Sequence, residues 1–230
     1  MLSPKMEDYL KSIYELQRES DGPVSTSAIA ELLDGTPQTA TSMMEKLEER
    51  ELVEREKYKG VTLTREGETV AIEVIRHHRL LESFLADHLG YSWAEVHDEA
   101  DRLEHHISEE FEERVAAVLG DPEVDPHGDP IPRETLDPVD EDVGETLDSH
   151  AEGDRVVVRR VRDRDPEELA YLADAGLEPG TVLTVREVAP IGMLTVETDA
   201  GETVSLPAAI AASIRVDGAD EASEEASGVA

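Results

Sequence analysis

Residues 25–64 read STSAIAELLDGTPQTATSMMEKLEERELVEREKYKGVTLT, and their punctuation decides the fold. The segment around Ala28–Leu33 carries helical periodicity, with Ser25 or Ser27 near its start and Gly35 after its end. Thr36 then stands as an N-cap with Pro37 at the first helical position, and a second amphipathic run continues through Leu47. Beyond it, LVEREKYKGVTLT alternates apolar and polar residues around a turn at Lys59 and Gly60, the pattern of a two-stranded hairpin. Helix, tight turn, helix and hairpin, in that order, predict a winged helix-turn-helix.

Outward from this segment, Ser3 and Pro4 open an earlier helix whose Met6, Leu10, Ile13, Tyr14 and Gln17 recur at three- and four-residue steps. On the other side, REGETVAIEVIRHHRLLESFLADHLG predicts a long helix from residue 65 to Gly90. Ser92 and Glu95 form an S-x-x-E capping box, and one further helix is expected from Trp93 to about Leu119, stopped by Gly120. From Asp121 to Asp154 the composition turns to Asp, Pro, Gly and Glu without periodicity, which reads as a linker. RVVVRRV, TVLTVREV, MLTVET and TVSLP are then short β-rich runs separated by turns, with one helical piece, PEELAYLADAGL; together they predict a small β-barrel. Asp217–Ala230 lacks large apolar residues and reads as an acidic tail.

The 230 residues include 55 acids against 21 bases, a net charge of -34, and no cysteine. Long periodic stretches argue against disorder, so the acid excess reads as adaptation to a cytosol of molar salt. At about 1 M salt the Debye length is roughly 3 Å, so overall acidity does not forbid a polyanionic partner. Without thiolates, any metal site must use nitrogen and oxygen donors. No apolar run reaches membrane-spanning or signal-peptide character, which predicts a soluble cytoplasmic protein.

The stretch HDEADRLEHHISEEF, residues 97–111, crowds histidines among carboxylates. On a continuous helix, Val96, Ala100, Leu103, Ile107, Phe111 and Val118 form one apolar stripe. His97, Asp101, Glu104 and His105 fall together beside it, whereas His106 points to solvent. In the preceding helix His78 and Glu82 share a face. Such groups at a core edge are costly unless paired or metal-bound, so they predict a divalent-cation site. Asp8, off the apolar face of the first helix, reads locally as a dipole-friendly carboxylate, and His127 as a structural or solvent-exposed residue of the linker.

The second helix of the helix-turn-helix presents Gln38, Thr39, Thr41 and Ser42 near its N-terminus, where base edges are read. No acid occurs from Gly35 to Met44 or from Lys57 to Arg65, and Lys57, Lys59 and Arg65 are placed to meet phosphates.

Taken with MEDYLKSIYEL, RHHRLLESFL, VHDEADRLEHHIS and DPHGDPIP, these features resemble the diphtheria toxin repressor family of metal-dependent transcription regulators. LADAGLEPGTVLTV is similar to the SH3-like, FeoA-type domain of its longer members. The resemblance implies a mainly α protein with small β parts: a winged helix-turn-helix DNA-binding domain (1–73), a helical dimerisation and metal-binding domain (74–133), an acidic linker (134–152), an SH3-like FeoA-type β-barrel (153–217) and an acidic tail (218–230). It implies a homodimer on a palindromic double-stranded operator, controlling metal-uptake genes, with no catalysis, no membrane and no small-molecule substrate. One metal site falls on Asp8, Asp101, Glu104 and His105, a second on His78, Glu82 and His97, and the C-terminal domain adds Asp165 and Glu168. Iron-responsive members carry Met and Cys where this chain has Asp8 and Asp101; carboxylates there favour Mn²⁺, with Fe²⁺ the alternative. Manganese regulators lacking the third domain place Glu at the position of Lys11, a departure that weighs against their close two-metal cluster. The rivals are a metal-buffering protein and a metal-dependent hydrolase.

Overall fold

The computed structural model describes residues 2–20, 22–56, 59–139, 144–162 and 166–219. It divides into two compact units: Met1–His78 with Asp101–Arg114 and Ile131–Val139, and Arg79–Ala100 with Val115–Pro130 and Asp140–Ala230.

In the first unit, α1 (Pro4–Ser20), α2 (Thr26–Leu32) and α3 (Pro37–Glu48) precede an antiparallel hairpin of β1 (Val53–Glu56) and β2 (Gly60–Leu63). The caps are those the sequence signals: Ser25 accepts a hydrogen bond from the Ala28 amide, and Thr36 from the Thr39 amide. Leu10 and Ile13 of α1 pack with Ile29, Ala40, Met44 and Leu47 into one core. Removing these apolar side chains from water is the main stabilising term, about 25 cal/mol per Å² buried. Gln17 ties α1 to the wing, its Oε1 accepting from the Leu63 amide at 2.9 Å. Val24 pairs with Val61 so closely that Gly60, at φ +129°, has backbone oxygen where a Cβ would stand.

The helix α4 (Arg65–Leu89) follows as expected. The single helix expected from Trp93 to Leu119 is instead two, α5 (Val96–Leu103) and α6 (Glu109–Leu119), broken at residues 104–108. Ser108 starts the second, its backbone oxygen accepting from Glu112 and its Oγ from Phe111. The break dissolves the continuous stripe: Val96 and Ala100 are buried, but Phe111 and Val118 are exposed.

In the second unit the sheet runs β3-β8-β4-β5-β6-β7, all antiparallel, from β3 (Glu145–Thr146), β4 (Arg155–Val161), β5 (Val182–Ala189), β6 (Met193–Thr198), β7 (Thr203–Pro207) and β8 (Ile214–Gly218). Helix α7 (Pro166–Asp174) and the short α8 (Ala208–Ala211) accompany it. Leu147, Val158, Leu172, Leu183, Val196 and Val216 form its core. Two strands, β3 and β8, go beyond the four expected runs, and Asp217 belongs to β8 rather than to a tail, where it accepts from Arg159 Nε at 2.6 Å. Residues 220–230 of the expected tail lie outside the described residues.

The reading of Asp121–Asp154 as wholly linker also fails. Asp125, His127, Asp129 and Ile131 are buried, Val124 pairs with Pro130, and the Val161 amide donates to His127 O at 2.9 Å. Gly128, at φ +87°, lies so close to Arg159 O that a Cβ would stand 1.9 Å from it. Only glycine permits that approach.

Candidate metal centre

The first cluster lies in the first unit, at the α5–α6 break. His105 Nδ1 donates to Glu7 Oε2 at 2.8 Å, which aims the ring's other nitrogen at two carboxylates. Nε2 is 2.7 Å from Asp8 Oδ1 and 3.4 Å from Glu104 Oε1. Donor atoms of Asp8, Glu104 and His105 all fall within 4.8 Å of one another. Asp8 is carried by α1 and the other two by the break, so groups about 96 positions apart share one cage.

Around this cage the charges are dense. Glu104, 2% exposed, meets His78 Nδ1 at 2.6 Å, and His78 also lies 3.2 Å from the half-exposed Asp101. Lys11 Nζ reaches Asp101 at 3.2 Å and Glu104 at 3.0 Å. Burial alone would raise the Glu104 pKa, but Lys11 and His78 outweigh it and hold the carboxyl below its ordinary value. Asp8 is shifted the other way, upward, chiefly by burial. Burial would depress the Lys11 ammonium, yet Glu104, Asp101 and Glu15 raise it above the usual lysine range.

His77 supports the same segment. Its Nδ1 donates to the Glu104 carbonyl at 3.1 Å and its Nε2 to Glu112 at 3.0 Å, and a ring that donates from both nitrogens is an imidazolium. Burial would lower its pKa; Glu112 more than reverses that. Arg76 joins Glu112 and the Pro132 carbonyl, so α4 grips the start of α6 with two cations.

A second cluster, in the second unit, joins Glu82, Asp125 and His127, all buried, with donor atoms again within 4.8 Å of one another. His127 Nε2 donates to the Trp93 carbonyl at 3.0 Å, which turns Nδ1 toward Glu82 Oε2 at 3.7 Å. Asp125 uses Oδ1 to accept from the amides of His127 and Asp129, at 2.8 and 2.9 Å. Its Oδ2 is buried without a hydrogen bond. Burial, then Asp129 and Glu82, push the Asp125 carboxyl well above its ordinary range. Arg79 answers part of this charge, hydrogen-bonding Asp129 at 3.2 Å, and Arg160 pairs with Asp129 as well.

Both clusters fit a divalent cation on donor chemistry: carboxylate and imidazole, no sulfur, and in Asp125 a buried carboxyl oxygen without a hydrogen bond, which a cation would satisfy. Of the residues the sequence singles out for the first site, Asp8, Glu104 and His105 come together, and Asp101 joins them through Lys11 and His78. Of the second expected set, Glu82 and His97 meet at 3.2 Å. Glu168 instead accepts from the Ser213 hydroxyl, and Asp165 lies outside the described residues. Sequence reasoning misses Asp125 and His127 as candidate donors, and His127, far from solvent-exposed, is fully buried.

On the DNA-facing candidates, Gln38, Thr39 and Ser42 are exposed along α3, while Thr41 is half-buried and its Oγ1 donates to Pro37 O at 2.8 Å. Lys59 is exposed and paired with Glu56 at 2.6 Å, Arg65 is exposed, and Lys57 lies outside the described residues.

Fold and site define a class: a winged helix-turn-helix joined to helices that gather oxygen and nitrogen donors, followed by a small antiparallel sheet domain. Three family models match in tandem: iron dependent repressor, N-terminal DNA binding domain, over residues 1–61; iron dependent repressor, metal binding and dimerisation domain, over 64–133; and FeoA domain, over 145–218. The iron-dependent repressor IdeR of Mycobacterium tuberculosis is 35% identical over 222 residues, 92% of this chain and 96% of the relative. The diphtheria toxin repressor of Corynebacterium glutamicum is 34% identical over 224 residues, 92% of this chain and 95% of that one. A solved manganese-dependent transcriptional repressor in complex with manganese superposes with a TM-score of 0.84 at 39% identity, covering 93% of this chain and 99% of that one. The chain belongs to the iron-dependent (diphtheria toxin) repressor family.

Proposed function

We propose that this protein is a divalent-metal-dependent transcriptional repressor that reads a palindromic operator as a homodimer, with Mn²⁺ as its metal. The observation that carries the reading is the His105 ring, held at Nδ1 by Glu7 and faced at Nε2 by both Asp8 of α1 and Glu104. Asp8, Glu104 and His105, with Asp101 and His78 beside them, would hold one ion; Glu82, Asp125 and His127, with His97 beside Glu82, would hold another. A bound cation supplies positive charge that offsets the repulsion among these carboxylates. The rest of the switch belongs to the chain. Asp8 anchors α1 to the α5–α6 break, α1 shares a core with α2 and α3, and Gln17 fixes α1 to the wing. Fixing Asp8 therefore fixes the element from which the DNA-reading head is built. In the head, Gln38, Thr39, Thr41 and Ser42 would face bases, and Lys57, Lys59 and Arg65 phosphates.

The domain division 1–73, 74–133, 134–152, 153–217 and 218–230 goes with this reading, as do control of metal-uptake genes, binding without catalysis and a cytoplasmic location. No helix among the described residues is long and apolar enough to cross a membrane. Fe²⁺ is the alternative metal: the donors accept it as well, and the IdeR relatives are iron-dependent by name. Metal content after anaerobic purification from the native cells separates the two.

The test of the switch is DNA binding in molar KCl, using duplexes selected from a random pool by the Mn²⁺-loaded protein. Affinity should fall by at least about tenfold on chelation and in Glu104→Ala, the span of ordinary allosteric coupling. Equal affinity with and without metal, at unchanged fold, would overturn the proposal.

A further inference from the structure

Lys11 stands one turn beyond Asp8 on α1, so the same helix carries a candidate ligand and a cation aimed into the same charges. Its ammonium is not a surface ornament: the side chain is 16% exposed and contacts both oxygens of Glu104, at 3.0 and 3.4 Å, as well as Asp101 at 3.2 Å. Glu104 is itself 2% exposed, so these oxygens have little water to turn to. Resting on the metal-site reading above, we propose that Lys11 is an internal competitor for the cation site, and that this residue sets the metal concentration at which the site fills.

The electrostatics give the device its logic. Asp8, Asp101 and Glu104 would repel one another if left to themselves, and Lys11 supplies one compensating charge that the chain never has to capture from solution. An arriving divalent ion offers twice the charge at the same carboxylates, so Lys11 must release Glu104 and swing away along its flexible stem. Monovalent ions, with no charge advantage over an ammonium already tethered in place, are disfavoured by the effective concentration of a group on the same chain. The site therefore ignores a high background of K⁺ while remaining open to Mn²⁺ or Fe²⁺.

The experiment is Mn²⁺ titration of the full-length protein at fixed KCl, followed by electron paramagnetic resonance of the free ion, with thermal unfolding of the chelated protein alongside. Lys11→Met keeps the length of the stem and removes the charge. It should bind Mn²⁺ at one site about tenfold more tightly than wild type, since the competitor is gone, while the metal-free form melts lower. Lys11→Arg, which keeps the charge, should remain within about threefold of wild type or bind more weakly. Lys11→Gln repeats the neutral substitution with a polar end and serves if the Met variant does not fold without metal. Unchanged or weaker Mn²⁺ binding in a folded neutral variant overturns the proposal. Glu104→Ala keeps that result distinct from failure of the underlying reading: if it leaves Mn²⁺ stoichiometry and affinity untouched, the cage itself is wrongly assigned.

Discussion

Asp125 holds a carboxyl in a place that disfavours its charge, and this makes it the sharpest single-residue probe of the second cluster. Because its pKa is raised in the folded protein, chiefly by burial, it contributes stability at pH below about 4, the unfolded value, and loses that contribution as pH rises through the folded value. Ionising this carboxyl in the metal-free protein is thus unfavourable, a cost that bound metal would answer. Asparagine keeps the Oδ1 that accepts from the His127 and Asp129 amides. Asp125→Asn should accordingly raise the stability of the chelated protein at pH 7 by about 1 kcal/mol, with less gain as pH is lowered, and should weaken Mn²⁺ binding. Differential scanning calorimetry with and without chelator reads both effects; a destabilised metal-free variant would contradict the account. Trp93 offers a second readout. It is the only tryptophan in the chain, its ring lies 4.9 Å from that of His127, and its indole N–H donates to Pro126 O at 2.8 Å. Filling of this cluster should change Trp93 fluorescence, and Asp125→Asn should abolish the change at the same metal concentration.

Elements whose signals are local are legible in the sequence, and those that depend on distant partners are not. Ser25 and Thr36 cap α2 and α3 where Ser/Thr and Pro37 place them, since a cap needs only neighbouring amides. The α5–α6 break is hidden because neither Gly nor Pro interrupts residues 93–119. A cue is nevertheless present: Ser108 followed by Glu109, Glu110 and Glu112 is the acidic first turn of a new helix. What holds the break open, His77 donating to the Glu104 carbonyl, comes from 27 positions away and leaves no periodic trace. Asp125 and His127 escape notice for a related reason. They lie in a Pro- and Gly-rich segment whose turn chemistry is readable, but whose burial depends on strands that follow later in the chain. Where the reading is local it makes a clean prediction. Gln38 and Ser42 are exposed on α3 and bury nothing, so Gln38→Ala and Ser42→Ala should each weaken selected-duplex binding by about 1 kcal/mol or more while leaving the melting temperature unchanged. Loss of stability parallel to loss of binding would mean these side chains support the fold instead.

For the molecule as a whole, the governing quantity is the net charge of -34. Its effects divide by burial. Pairs such as Lys11 with Glu104 lie out of water and are little screened, whereas acids exposed on the surface repel across distances comparable with the roughly 10 Å Debye length of 0.1 M salt. Raising KCl to about 2 M shortens that length to a few Å, which relieves the surface repulsion and leaves the buried cages intact. Hence the melting temperature of the metal-free protein should climb steadily from about 0.1 to 2 M KCl, opposite to what loss of surface ion pairs alone would give. Metal-loaded protein should start higher, because the cation has already offset the repulsion at its own site. DNA binding over about 1 to 2 M KCl should fall only shallowly: so acidic a protein has few phosphate contacts to gain from counterion release, and base contacts and shape must supply the affinity. Thermal unfolding and duplex anisotropy on the same salt series decide the matter, and a steep loss of operator binding over that range would show that phosphate contacts from the wing, not the side chains of α3, dominate recognition.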